Sequence, residues 1–443
     1  MLDTVIGPKY TGARLWPGLR PGGGAKMERV RKHRKLLTVA ACVGVLAALG
    51  ATQSLLDKAA AQAKQVPRFE VDPYWPKPMP NNWVQGMTIG IGVSADDHVW
   101  VIHRANDAGS GLDRTELAQP NPNGPKVGEC CNPAPPVLEF DAAGNLVGSW
   151  GGPSPDGKYD WPESNHGIVV DHKGFVWIGG NGGPDAHILK FTRDGKFVAQ
   201  YGKKNARLKE GGEAKPGAKP SFVANSNDMN NFGRVAKIFI DPKNNEGYVA
   251  DGYFNKRVAV IDLDNGQIKR YWGAYGNKPD DAPLGPYDPT APPAQQFRTP
   301  VHCAEMSNDG FVYVCDRPND RLQIFTREGK FVKEVFVAKE TRADGSVWDV
   351  AFSKDPQQAW LYMADGVNEH VRVFNRQTME EVYNFGYGGR QPGMFLGVHS
   401  IAVDSKGNIY TTETYTGKRL QRFLAKGMGA APKSGQVAWP GAK

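Results

Sequence analysis

Residues 297–325 read FRTPVHCAEMSNDGFVYVCDRPNDRLQIF. Two short runs rich in apolar, β-branched and aromatic residues, 301–306 and 311–315, flank a Ser307-Asn308-Asp309-Gly310 turn. A third run, 321–325, follows residues 316–320. Period-two runs bounded by Gly, Asn and Asp predict antiparallel strands joined by tight hairpins. The same unit recurs along the chain, its first hairpins aligning as 89–102, 166–179, 236–250, 302–315, 348–364 and 399–412. Each copy is followed by a third run ending at Phe140, Phe191, Ile261, Phe325, Phe374 or Phe423. Repeats about forty to fifty residues apart, all strand and without an amphipathic helix, predict an all-β fold, a β-propeller. Six copies predict six blades.

The chain of 443 residues is 40% hydrophobic and 23% charged, with 53 Gly and 33 Pro. That composition suits a large core built from turns. The formal charge of +8 is concentrated at the start: residues 1–63 hold ten Lys/Arg and three Asp/Glu, leaving 44 basic and 43 acidic residues elsewhere. A nucleic-acid partner is therefore not expected. Residues 1–26 read as an upstream extension, because Met27 directly precedes a basic run, residues 28–35, followed by an apolar run at 36–51 and Ala61-Gln62-Ala63. Residues 27–63 thus read as an export signal, placing the protein in the periplasm or outside the cell. The apolar run is shorter than the roughly twenty residues that span a bilayer, so membrane attachment is expected only if the leader stays uncleaved. In an oxidising compartment the four cysteines beyond the leader can pair. Cys303 and Cys315 fall opposite one another across the hairpin, and Cys130 and Cys131 are adjacent, either bonded or free.

Residues 64–82 are Pro-rich and extended, and 68–71 is the candidate strand to close the ring against a last copy that lacks a fourth strand. The propeller is expected over 83–426 and a loose tail over 427–443. Three insertions, 105–136, 203–228 and 277–296, interrupt the repeat. Each enters an innermost strand or leaves a second strand, so all three crowd one face of the disc, where loops this long are usually functional. On that face the first position of the innermost strand reads Ile89, His166, Ala236, His302, Trp348, His399. Histidine in every second blade sets three imidazoles about 120° apart around the channel, a donor set for a divalent metal with open positions, zinc first. A single histidine in a wet channel needs no metal; three at one repeat position in alternate blades call for one. His98, His172, His187 and His370 are expected to face solvent. Arg104, Tyr253 and Arg317, just beyond the second strands, fall on the histidine face. Arginine can clamp a carboxylate, and tyrosine beside a cation can act as a base. Asp251, Asp316 and Asp365 read as structural, bonding the turns that follow.

With these residues in place, the chain resembles the lyase domain of the peptidylglycine α-amidating enzymes, a six-bladed propeller of the NHL-repeat type, over about residues 83–425. The resemblance rests on the alternating histidines, on VADGYFNKR at 249–257, on Cys315-Asp316-Arg317 and on His103-Arg104. It implies His166, His302 and His399 as zinc ligands, Tyr253 as base, and Arg104 and Arg317 as contacts to a small-molecule or peptide substrate bearing a carboxylate. The implied reaction cleaves an α-hydroxyglycine N–C bond to an amide and glyoxylate. Gly397 and Ser400 stand where the family would carry Met and an acidic residue that helps hold a structural calcium, which argues against that calcium here. Two other readings stay open: a metal-dependent propeller hydrolase such as a lactonase, and a non-catalytic NHL-repeat binding scaffold. A monomer is expected.

Overall fold

A computed structural model describes residues 65–104, 111–112, 115–121, 123–209, 220–433 and 435–441. The extension and signal expected at 1–63 lie outside the described residues. The described chain is all-β: six four-stranded antiparallel sheets form the blades of a β-propeller. From the channel outward, blade 1 is Met87–Val93, Val99–Arg104, Val137–Phe140 and Leu146–Trp150. Blade 2 is Asn165–Val170, Val176–Gly180, His187–Phe191 and Phe197–Gly202. Blade 3 runs Val235–Asp241, Glu246–Asp251, Arg257–Asp262 and Ile268–Trp272, and blade 4 Val301–Met306, Phe311–Asp316, Arg321–Thr326 and Phe331–Phe336. Blade 5 is Asp349–Phe352, Trp360–Asp365, His370–Asn375 and Glu380–Phe385. Blade 6 uses Val398–Val403, Ile409–Glu413 and Leu420–Ala430, and its outermost strand is Gln65–Asp72 from the other end of the chain. Among the described residues no helix is long and apolar enough to cross a membrane.

Blades pack face to face, so both faces of the second and third strands leave water. Blade 4 offers Cys303, Tyr313, Cys315, Leu322 and Ile324 to Val350, Leu361, Met363 and Phe374 of blade 5. Cys303 and Cys315 are direct cross-strand partners and form a disulfide; Cys130 and Cys131 form a second one.

Two expectations fail. His187 is buried, its Nε2 2.7 Å from the carbonyl oxygen of Asp160, because a third strand sandwiched between blades has no solvent face. Nor is the stretch from 427 a loose tail: the last strand runs on to Ala430, and the Gly386 and Val71 amides donate to the carbonyls of Gly435 and Ala438. Main-chain pairing is indifferent to the small residues that made this segment read as unstructured.

A repeated bracket holds the loops of the histidine face. In blade 3 the buried Asp251 carboxylate accepts from Arg257 Nε at 2.8 Å, Asn255 Nδ2 at 2.8 Å and the Gly233 amide at 2.6 Å. Asp316 does the same for Arg321 Nε, Asn319 Nδ2 and the Arg298 amide in blade 4, and Asp365 for Arg372 and Asn368 in blade 5. Each carboxylate ends a second strand and closes the turn behind it, which fixes Tyr253 beyond Asp251 and Arg317 beyond Asp316.

Candidate metal centre

His166, His302 and His399 are buried, and their ligand atoms all lie within 4.8 Å of one another. A local irregularity aims them. In blades 1, 2, 3, 4 and 6 the register between the first two strands slips at the column position, at 88/90, 165/168, 235/237, 301/303 and 398/401. The extra residue of a bulge is released from the ladder and re-aimed, and here the released position holds the column residue.

Each imidazole is then fixed by the next blade. His166 Nδ1 lies 2.6 Å from the Ala236 carbonyl oxygen, His302 Nδ1 2.5 Å from that of Trp348, and His399 Nδ1 2.7 Å from that of Ile89. A carbonyl only accepts, so Nδ1 carries the proton and Nε2 turns a lone pair toward the axis. Burial holds all three imidazoles well below their ordinary pKa, and their charged neighbours, Arg104 and Arg317 among them, add to this. The ring is therefore neutral at pH 7.

The Tyr253 hydroxyl sits 2.9 Å from His166 Nε2 and 3.0 Å from His302 Nε2. One phenolic proton satisfies one lone pair at a time, which leaves three convergent acceptors with a single donor. That imbalance, with the Nδ1 tautomer locked by carbonyls, fits a divalent cation held by three imidazoles with further positions open. Burial raises the Tyr253 pKa, while Arg317 and Arg104 pull it down.

The structure brings both arginines to this centre. Arg104 donates from Nε to the Asn165 carbonyl at 3.0 Å and from Nη2 to Asn181 Oδ1 at 2.7 Å. Arg317 opens the short turn Arg317–Asn319, stacks 4.4 Å over the Trp348 ring and points Nη1 at the Tyr253 hydroxyl, 3.4 Å away. His103 belongs instead to the blade wall: Nδ1 accepts from the Gly86 amide, Nε2 donates to Pro135, and burial pushes its pKa down to about 4. Trp348 shares the histidines' repeat position and was legible as a member of the ring, but its role as the platform under Arg317 was not. Of the two residues beside Arg317 that sequence reasoning missed, Asp344 sits in a loop with no repeat position to mark it, whereas Tyr415 stands two residues beyond the second strand of blade 6, where Tyr253 stands in blade 3, and that position was the signal.

Deeper in the channel, Lys237 Nζ bonds both oxygens of Asp349, at 2.7 and 2.8 Å, and Glu305 at 2.8 Å. Several cavities open on the face that carries the insertions. One of about 820 Å³ is lined by Trp83, residues 133–136, Tyr159 and Trp161, and one of about 520 Å³ by Phe222, Phe254, Leu284, Lys256 and Arg298.

No family model matches the chain. It is 27% identical over 171 residues to peptidyl-glycine alpha-amidating monooxygenase A of Xenopus laevis, which is 38% of this chain and 15% of that protein. To monooxygenase B of the same organism it is 26% identical over 171 residues, again 38% of this chain and 16% of the relative. The matched stretch is thus about a sixth of these relatives' length. Among solved structures, a streptogramin B lyase superposes with a TM-score of 0.45 at 12% identity, covering 83% of this chain and 99% of that one. The virginiamycin B lyase from Staphylococcus aureus superposes with 0.41 at 13% identity, covering 81% and 89%.

Proposed function

We propose that this propeller is an exported, zinc-dependent lyase of the peptidylamidoglycolate type, built on NHL-like repeats. It would cleave the N–C bond of an N-acyl-α-hydroxyglycine to an amide and glyoxylate. The observation that carries this reading is the ring of three neutral imidazoles, two of them in contact with the Tyr253 hydroxyl, with Arg317 on the hydroxyl's other side. The partial likeness to the amidating proteins supports it.

His166, His302 and His399 would hold the ion, which when bound supplies Lewis acidity that favours an ionised Tyr253 and the alkoxide character of the substrate hydroxyl. Arg317 and Arg104 would bind the substrate carboxylate, presenting the carbinol carbon to Tyr253. Tyr253 takes the hydroxyl proton, the O–H electron pair becomes the second C–O bond of glyoxylate, and the C–N bond breaks toward nitrogen. Returning that proton to nitrogen completes the amide and restores Tyr253, so no separate water nucleophile enters. Outside the leader the near balance of charge suits a small carboxylate ligand better than nucleic acid, and the two disulfides suit an oxidising compartment. We take the enzyme to be monomeric. At Ser400 the hydroxyl donates to the Ile89 carbonyl, 2.8 Å away, the same acceptor that holds His399 Nδ1.

The test is elemental analysis of residues 64–443 beside His302→Ala, followed by glyoxylate release from an N-acyl-α-hydroxyglycine. About one zinc per chain, lost in the variant, is expected, with release abolished alongside it. Zinc without release would leave another metal-dependent reaction, and no zinc after reconstitution would refute the catalytic reading.

A further inference from the structure

Arg317 is 5% exposed, yet its bonds are poor: Nη1 meets Tyr253 at 3.4 Å, Nη2 meets Asp344 Oδ1 at 3.4 Å, and the buried Nε has no hydrogen-bond partner. The bracket arginines differ sharply, with Nε contacts of 2.7 to 2.8 Å to their carboxylates. A buried guanidinium whose donors are this badly met is one that a planar anion can still satisfy.

The carboxylate now nearest to it is presented with some care. Asp344 lies between Ala343 and Gly345, both at positive φ, and a Cβ on Gly345 would stand 2.1 Å from the Arg317 carbonyl oxygen, so this loop packs directly on the Arg317 main chain. The Ser346 amide is tied to Asp320 and the Trp348 indole to the Gly345 carbonyl. The backbone that follows Asp344 is thus pinned while its side chain stays 46% exposed. Its other oxygen accepts from the Tyr415 hydroxyl at 2.8 Å, and the Tyr415 ring meets Trp348 edge-on at 6.3 Å.

We propose that Asp344 is a specificity-determining residue: a resident carboxylate that occupies the outer side of Arg317 and competes with the carboxylate of an incoming ligand. Tyr415 is the latch that holds Asp344 there and receives it when a ligand takes its place. This rests on the reading of Arg317 as the substrate-carboxylate contact. A ligand carrying a carboxylate repays the displaced ion pair, and a neutral analogue does not, so the charge of the ligand is selected by exchange as well as by attraction.

The test is calorimetric titration of the full chain with N-acetylglycine, which has no α-hydroxyl and is not turned over, and with uncharged N-acetylglycinamide. Asp344→Asn removes a half-exposed competitor and should bind N-acetylglycine about three- to fivefold more tightly, with binding of the amide unchanged. Asp344→Glu, which keeps the charge, should return to the wild-type affinity. Weaker binding in Asp344→Asn would make Asp344 a support that orients Arg317 and overturn the proposal. So would the absence of saturable N-acetylglycine binding to both forms, or an equal change for the acid and the amide. Tighter acid binding without glyoxylate release would uphold this inference and remove the lyase reaction instead.

Discussion

Asp251→Asn is the sharpest perturbation of the frame beneath Tyr253. The asparagine keeps an acceptor for the Gly233 amide, but its amide nitrogen then faces Arg257 Nε–H and Asn255 Nδ2–H, donors against a donor. Arg257 has no exposure and no other carboxylate in reach; what remains to it are the carbonyls of Ser226, Asp228 and Asn231. Removing one partner of a buried pair costs about 3–5 kcal/mol. The three carbonyls lower this toward the bottom of the range, so we expect a loss of about 3 kcal/mol, read as a fall in the urea midpoint at unchanged m-value. In Asp251→Asn/Arg257→Met the stranded charge is gone, and the double variant should be no less stable than Asp251→Asn alone. Asp156→Asn, which breaks an exposed pair with Lys158, should leave the midpoint where it is. A loss below about 1 kcal/mol in Asp251→Asn, or additive losses in the double variant, would refute the bracket as the device that holds this loop.

Gly252→Ala should destabilise by at least about 1–3 kcal/mol and lower metal affinity in dialysis. Its Cβ would stand 1.9 Å from the carbonyl oxygen and 2.4 Å from the nitrogen of Val301, backbone that cannot rotate aside and that leads into His302. Phe69→Ala should cost about 3–5 kcal/mol in the same unfolding assay, because Phe69 is 4% exposed and packs on Tyr362 and Phe385; a loss near zero would show that Gln65–Asp72 does not hold the ring closed. Burial pushes the Asp320 carboxyl up to about 7, above its unfolded value, so the native state keeps a proton that the unfolded chain gives up. Stability should therefore be full below about pH 4 as far as this group is concerned, and fall as pH rises to about 7. Asp320→Asn, which suits the left-handed backbone at φ 51 and can still accept from the Ser346 amide, should flatten that fall in midpoint measurements across pH.

The blades were legible because a propeller repeats its strands, and a repeat turns a scattered set of histidines into a column. His166, His302 and His399 could be brought to one axis, and Arg104, Tyr253 and Arg317 to one face, without any knowledge of side-chain geometry. What the repeat could not give is whatever departs from regular strand geometry or lies outside the repeat. The bulge that aims each histidine is one extra residue in a ladder, with no side chain of its own to announce it. His187 was misjudged because its third strand is buried on both faces, where a two-period pattern has no polar side to show. Asp344 stands in a loop, and only the fold brings it to Arg317.

The three blades without histidine are as much a part of the centre as the three with it. Ile89, Ala236 and Trp348 differ widely in side-chain size and shape, yet each offers a main-chain carbonyl to the Nδ1 of the preceding blade's histidine. Their side chains are free to vary because the acceptor is backbone, which leaves Trp348 available to carry Arg317. Histidine in every second of six blades therefore gives three ligands and three backbone locks, and that placement sets the threefold arrangement of the centre.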